Sequence, residues 1–422
     1  MLMSPGSVLK LWTRGIRAAI IAFVGLFFLS VSLFEVPFAI SHSKSRWANS
    51  QSATPVEPQH VAPKHEFKFP WKSVTLAAGL LIFGWTIAGR YIHPARLSAR
   101  RSEPIPKIAA GSAQRIPLAD GAEVYFESRG SPADVTLLLT HGWSLNRRQW
   151  DLLQHELGHQ FRIVVWDIPG LGLSKPASNN DFSLENMARQ LRAVIDATNS
   201  QQIVLVGHSI GGMIVLTACR LYPELLGPVI SKVVLVHTTY ENPLHTMANS
   251  SGFTRYQKTL VEPLLHLQIR LWPVVWCLNW LSYWNGSLHR AAANTGFSLN
   301  APRSKLDYVA SFYPLGAPAV LARGALAMLK LDELQNLPRI PVPVLVVAGA
   351  EDPLTEARAS RVMQQQIPHA QIHVYEPGKH FGFFEYHTEF AKILATFCQP
   401  TPPESNPSPR PSESSSSTSS SL

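Results

Sequence analysis

Short unbroken apolar runs recur through the middle of the 422-residue chain: "VTLLLT" from Val135, "RIVVWD" from Arg162, "IVLVG" from Ile203, "KVVLVH" from Lys232 and "VPVLVVAG" from Val342. A run of this kind has no alternating polar positions, so it reads as a strand covered on both faces, which is the habit of parallel sheets. "AEVYFESRG" from Ala122 alternates instead, as an edge strand does, and "QIHVYE" from Gln371 is a shorter candidate. Helical periodicity fills the intervals at 148–157, 184–198, 212–222, 356–366 and 384–397. Strands alternating with helices predict an α/β fold: a mostly parallel, doubly wound sheet with helices on both faces, over residues 112–398. One interval breaks the rhythm. Roughly a hundred residues separate His237 from Val342, far more than a crossover needs, so an inserted helical cap is expected at about 240–332.

The strand at 203–207 runs into "GHSIGGM" and then into the helical "IVLTACRLY". A strand ending in Gly-x-Ser-x-Gly before a helix is the pattern of a nucleophile elbow, in which small neighbours let one hydroxyl stand clear of a sharp turn. Ser209 is that hydroxyl. It is a poor nucleophile at neutral pH and needs a base and a group to orient the base. On a sheet of this type the partners follow in the order acid, then histidine. Asp352, in the loop after "VLVVAG", is the expected acid, with Glu351 beside it and Glu241 further off as alternatives. His380, after the last strand, is the expected base. Acyl chemistry also needs N–H donors aimed at a developing oxyanion. The backbone N–H groups of Ile210 and Trp143 are the candidates, the latter in "HGWSLN" after an early strand. Such a mechanism calls for no metal and no organic cofactor.

Together "HGW" at 141–143, "DIPGLGLS" at 167–174, "GHSIGG" at 207–212, "GAEDPLT" at 349–355 and "GKHF" at 378–381 resemble the α/β-hydrolase superfamily. The resemblance implies a carboxylic-ester hydrolase, with "DIPGLGLS" as a structural loop. Serine rather than aspartate at the elbow argues against the epoxide-hydrolase and dehalogenase branches. An apolar cap and upstream apolar segments are similar to those of membrane-bound monoacylglycerol lipases, which implies a lipid-like ester as substrate. A membrane acyltransferase on the same fold and a non-catalytic ligand-binding homologue are the alternative readings.

Residues 1–110 read as a membrane-anchor region, with candidate spans at 18–34 and 74–89. The first is close to the ~20 apolar residues needed to cross a bilayer; a signal peptide or an interfacial segment is the rival reading. Basic residues before the first and after the second put the catalytic domain on the cytoplasmic side. In the cap, Trp272, Trp276, Trp280 and Trp284 recur every fourth residue and form a stripe on a helix. Trp276 and Trp280 are candidate substrate contacts, with simple packing against the main domain as the alternative. The net charge of +9 is spread without a basic stripe bearing interleaved aromatics, so nucleic-acid binding has no support. The three cysteines are odd in number and far apart, which argues against a disulfide framework or a zinc site. Residues 399–422 have almost nothing to bury and read as a disordered tail.

Overall fold

The computed structural model describes residues 71–97, 103–109, 111–130, 135–248, 250–298 and 301–399. After an N-terminal helix α1 (Trp71–Leu97) come β1 (Ser112–Pro117), β2 (Glu123–Arg129), β3 (Val135–Thr140), α2 (Asp151–Leu157), β4 (Arg162–Trp166), α3 (Leu184–Thr198), β5 (Gln202–His208), α4 (Ile210–Leu221) and β6 (Ile230–Val236). The cap helices follow: α5 (Pro243–Thr246), α6 (Ser250–Arg255), α7 (Glu262–Arg270), α8 (Trp272–Trp284), α9 (Ser287–Gly296), α10 (Arg303–Phe312) and α11 (Pro318–Met328). The chain then returns through β7 (Val344–Gly349), α12 (Ala357–Gln366), β8 (Ala370–Tyr375), α13 (Gly382–Glu385) and α14 (His387–Cys398).

The strands form one eight-stranded sheet in the order β1-β2-β4-β3-β5-β6-β7-β8. β2 pairs antiparallel with β1 and β4, and every other pairing is parallel. Side chains alternate across a strand, so both faces of the apolar runs are buried. Leu138, Ile203, Leu205, Val233, Leu235, Val344 and Val346 join the core under α3, α4 and α12. Their neighbours Leu137, Val204, Val206, Val234, Val236, Leu345 and Val347 join the core under α2 and α14. β1 escapes the sequence pattern because it is exposed along nearly its whole length and leaves no apolar alternation to read.

The expected second span, 74–89, lies within the 27 residues of α1. Among the described residues, however, no helix is long and apolar enough to cross a membrane, so that span is not supported. α1 packs instead against the cap, on α8, α9 and α10. The reason lies in one side of the helix: Thr75, Gly79, Ile82, Thr86 and Gly89, spaced by fours and threes and all small but Ile82, form its buried or half-buried face. A Cβ at Gly89 would stand 2.9 Å from Asn285 Cα, so the two backbones touch. The candidate span at 18–34 lies outside the described residues, as does the expected tail beyond Gln399.

Candidate active site

In a parallel sheet, loops leaving the C-terminal ends of neighbouring strands gather at one edge. β5, β6, β7 and β8 are consecutive in the sheet, so the loops that carry Ser209, His237, Asp352 and His380 gather there. Ser209 occupies the turn between β5 and α4 at φ 54°, ψ −121°. This conformation costs a non-glycine residue roughly 1–3 kcal/mol and must be held by its surroundings. It is held by close packing. A Cβ at Gly211 would lie 2.5 Å from the Thr140 carbonyl oxygen, and one at Gly212 would strike the Thr238 side chain at 2.6 Å. The Ser209 carbonyl accepts from Gly212 N–H at 2.9 Å and from the Thr238 hydroxyl at 2.6 Å.

His380 is buried, and its Nδ1 lies 2.9 Å from Asp352 Oδ2. That contact makes Nδ1 the protonated nitrogen and leaves Nε2 as the one able to take a proton from a hydroxyl. The loop carrying His380 is seated from both sides. Its backbone N–H donates to Thr295 at the end of α9, at 3.3 Å, and its carbonyl lies 3.1 Å from His208 Nε2. Asp352 is itself buried and receives five donors. Leu354 and Thr355 N–H reach Oδ1 at 2.8 and 3.0 Å; the Thr355 hydroxyl, His237 Nδ1 and His380 Nδ1 reach Oδ2 at 2.8, 3.2 and 2.9 Å. Burial works against its charge, but the His380 ring and the hydrogen bonds from both imidazoles outweigh it and hold the carboxyl well below the usual carboxylate range. Glu351, the neighbouring alternative, is exposed, and Glu241 pairs with His245 at 3.2 Å. Neither takes the place beside His380.

His237 was not anticipated. It follows β6 at φ 44° with its side chain fully buried. Its Nδ1 meets the same Asp352 oxygen, Oδ2, as His380 Nδ1 does, while its Nε2 has no partner. Burial pushes its pKa down, so the ring is neutral and donates through Nδ1. One histidine at a strand end carries no local signal; only the parallel register of β6 against β7 brings it to the acid. Among the described residues, His237, Asp352 and His380 are the one group whose ligand atoms lie close enough, within 4.8 Å of one another, to share a metal ion. Both Nδ1 atoms are engaged as N–H donors to the carboxylate, and a metal ligand must instead offer a free lone pair. The cluster is therefore built as a hydrogen-bonded array.

The loop after β3 lies across the elbow. Ile168 N–H donates to His141 Nε2 at 3.0 Å, so Nδ1 carries the proton and donates to the Gly142 carbonyl at 2.8 Å. Gly142 N–H donates to Gln149 Oε1 at 2.9 Å, and a Cβ at Gly142 would lie 2.5 Å from His208 Nδ1. The Trp143 indole passes under the cap: its N–H donates to the Leu321 carbonyl at 3.0 Å, and only a glycine at 324 leaves room for its ring. Ile210 opens α4 directly after the serine. "DIPGLGLS" is occupied with its own structure: Asp167 accepts from Arg147 N–H at 2.7 Å, Arg147 Nη1 at 2.9 Å and Leu173 N–H at 2.8 Å.

Trp276 and Trp280 are not brought to this centre. Their ring contacts run along α8, to each other at 6.2 Å and from Trp280 to Tyr283 and Trp284, and no residue of α8 is buried. Trp276 is exposed, and Trp280 is half-buried where α8 packs on α1, α9 and α11. A separate cavity of about 600 Å³ opens between α3, the far end of α4 and cap helices α7 and α11. It touches none of Ser209, Asp352 and His380, and its Arg220 is already paired with Glu333 and Glu185.

A family model described as the alpha/beta hydrolase fold matches residues 135–386. The chain belongs to that family. A pimeloyl-[acyl-carrier protein] methyl ester esterase of Vibrio atlanticus is 26% identical over 282 residues, 65% of this chain and 98% of that protein. A putative carbamate hydrolase of Pseudomonas syringae is 25% identical over 272 residues, 63% of this chain and 95% of that one. Among solved structures, an esterase from Exiguobacterium antarcticum superposes with a TM-score of 0.55 at 20% identity, covering 68% of this chain and 98% of its own. At that identity the superposition speaks for the fold alone. The α/β-hydrolase resemblance and the hydrolase class read from the sequence agree with these matches.

Proposed function

We propose that the protein is a serine hydrolase that cleaves carboxylic esters of lipid-like alcohols or acids, monoacylglycerols or similar compounds, through an acyl-enzyme. The observation that carries this reading is the Asp352–His380 pair at 2.9 Å, with the His380 carbonyl 3.1 Å from Nε2 of His208, the neighbour of a serine held in a strained strand-to-helix turn. His380 Nε2 takes the Ser209 proton as Oγ attacks the ester carbonyl. Asp352 holds the imidazole in the required tautomer and stabilises its charged form. The N–H groups of Ile210 and Trp143 receive the oxyanion. The C–O bond to the alcohol breaks, and the alcohol leaves with the proton from His380. Water, activated by the same imidazole, then adds to the acyl-enzyme and releases the acid and Ser209. Kinship with esterases supports ester hydrolysis in general, and the apolar cap supports the lipid-like substrate.

The test is turnover of a panel of esters and lipids by the full chain against its Ser209→Ala form, with product analysis in the presence of acceptor alcohols. Free acid that vanishes with Ser209→Ala is expected. Transfer of the acyl group to the alcohol in preference to water would make the protein an acyltransferase. Equal turnover by the variant would refute the mechanism.

A further inference from the structure

The strongly exposed large apolar side chains are not scattered. Among the described residues, all but Leu173, Leu315 and Leu334 lie on α1 or between Tyr256 and Trp284. On α1 they are Val74, Leu76, Leu80, Leu81, Phe83, Trp85 and Ile87, with Leu81 as much as 75% exposed. In the cap, Tyr256, Leu260, Leu264, Leu267, Leu271 and Val274 recur in steps of three and four, a helical spacing carried from the π-helical turn at 257–261 through α7 into the start of α8. In an ordinary surface helix that face looks inward. Here it looks out, and so do the rings of Trp272, Trp276 and Trp284. α8 packs on both α1 and α7, so the two apolar surfaces adjoin. On α1, too, most large apolar side chains are turned out, while Gly79, Thr86 and Gly89 are turned in.

We infer that this α1–α7–α8 surface is a membrane-docking face, which lies in the interfacial layer of a bilayer carrying anionic lipid rather than crossing it. The charges favour that occupant over a second protein surface. From Phe67 to Ser102 the sequence has Lys68, Lys72, Arg90, Arg96, Arg100 and Arg101 and no acid. From Ser250 to Pro302 it has Arg255, Lys258, Arg270 and Arg290 against Glu262 alone, and all four cations are exposed. An amphipathic face with basic flanks and outward tryptophan rings is the pattern of helices that lie at the headgroup boundary. Each cation near an anionic surface adds attraction, and each apolar side chain adds burial. The inference builds on the lipid-ester reading by naming the bilayer as the source of substrate, but docking is measured without turnover.

The chain offers its own probe. Of its three cysteines, Cys277 on α8 is exposed while Cys219 and Cys398 are buried. An environment-sensitive fluorophore on Cys277 of the full chain is mixed with phosphatidylcholine vesicles, with and without phosphatidylglycerol. Its emission should shift to the blue, and nitroxide-labelled acyl chains should quench it, at about tenfold lower lipid when phosphatidylglycerol is present. Leu81→Glu with Leu267→Glu should raise the lipid needed by roughly ten- to hundredfold, while turnover of a short water-soluble ester stays within twofold. Vesicle binding without quenching at Cys277 would overturn the inference, since another segment would then hold the membrane. A dimer in solution whose label is shielded without lipid would also overturn it, by making the face a contact between copies. Loss of soluble-ester turnover in the unsubstituted chain would count against the hydrolase reading and leave the docking result standing.

Discussion

The sheet edge and the cap obey opposite rules of burial. At the edge, polar groups are buried around a satisfied acid: Asp352 is closed off from solvent and takes five donors, while His237 Nε2 is left without a partner. On the outer cap, apolar groups are exposed: no residue of α7 or α8 is buried. A buried, partnered polar array is costly to disturb, since removing one member strands the others. An exposed apolar face contributes little to stability and is explained by what it meets. Substitutions at the edge should therefore abolish chemistry, whereas substitutions on the face should change where the protein sits and leave chemistry intact.

The largest effects belong to the triad. Ser209→Ala, His380→Ala and Asp352→Asn should each lower kcat by about 10⁴ or more, and the double variant Ser209→Ala/His380→Ala should lose little beyond either single one, because the residues act as a unit. Steady-state kinetics on a soluble ester checks this. Additive losses, or a mild Asp352→Asn, would break the proposed assignment.

His237 sharpens the comparison. It touches Asp352 but not the reacting atoms, so it acts by positioning. His237→Phe removes a donor from Oδ2 and should lower kcat by roughly ten- to hundredfold with KM nearly constant, in the range seen when supporting hydrogen bonds are lost. His237→Asn, which restores an N–H donor, should recover part of that loss. Equal kcat for the two variants would make His237 a packing residue only.

The strand runs, the elbow and the order of acid and histidine were legible because each is a local pattern tied to a fixed place on a parallel sheet. The helix expected at 184–198 matches α3 residue for residue, since its apolar spacing and its Ser183 cap are both local. What was not legible depends on contacts between distant segments. β1 has no burial pattern. The fit of the Trp143 ring over Gly324 joins the loop after β3 to the last cap helix. For the tryptophans of α8, a four-residue period shows that a face exists without showing which way it points. The same ambiguity made 74–89 resemble a span, where the structure has a helix with one small-residue face laid on the cap.

A moderate effect follows from the buried imidazoles. Burial lowers the pKa of His141, His208 and His237. As pH falls below about 6.5, the unfolded chain takes up protons at these residues before the folded protein does. Stability that is fully present above that value is then lost, by up to about 1.4 kcal/mol per pH unit for each ring. The depressed Asp352 adds to the loss only at more acid pH, below the unfolded carboxyl value near 4. The melting temperature should drop by roughly 5–10 °C between pH 7.5 and pH 5.5. A flat profile by circular dichroism would show that these rings are solvated.

The smallest effect is expected one residue from one of the largest. Glu351 and Asp352 are adjacent carboxylates in the same loop, and sequence order allows either as the acid. The chain separates them by direction: the Asp352 side chain is buried on His380, while Glu351 is exposed and is fixed only through its backbone N–H, 2.8 Å from the Gly378 carbonyl. Glu351→Gln keeps that backbone bond and removes a charge that solvent already screens. Its kcat and KM should stay within about twofold of the unsubstituted enzyme, and its melting temperature should move by no more than a degree or two. A loss approaching that of Asp352→Asn would mean that the loop exchanges the two carboxylates during turnover, and the site would have to be assigned to the pair.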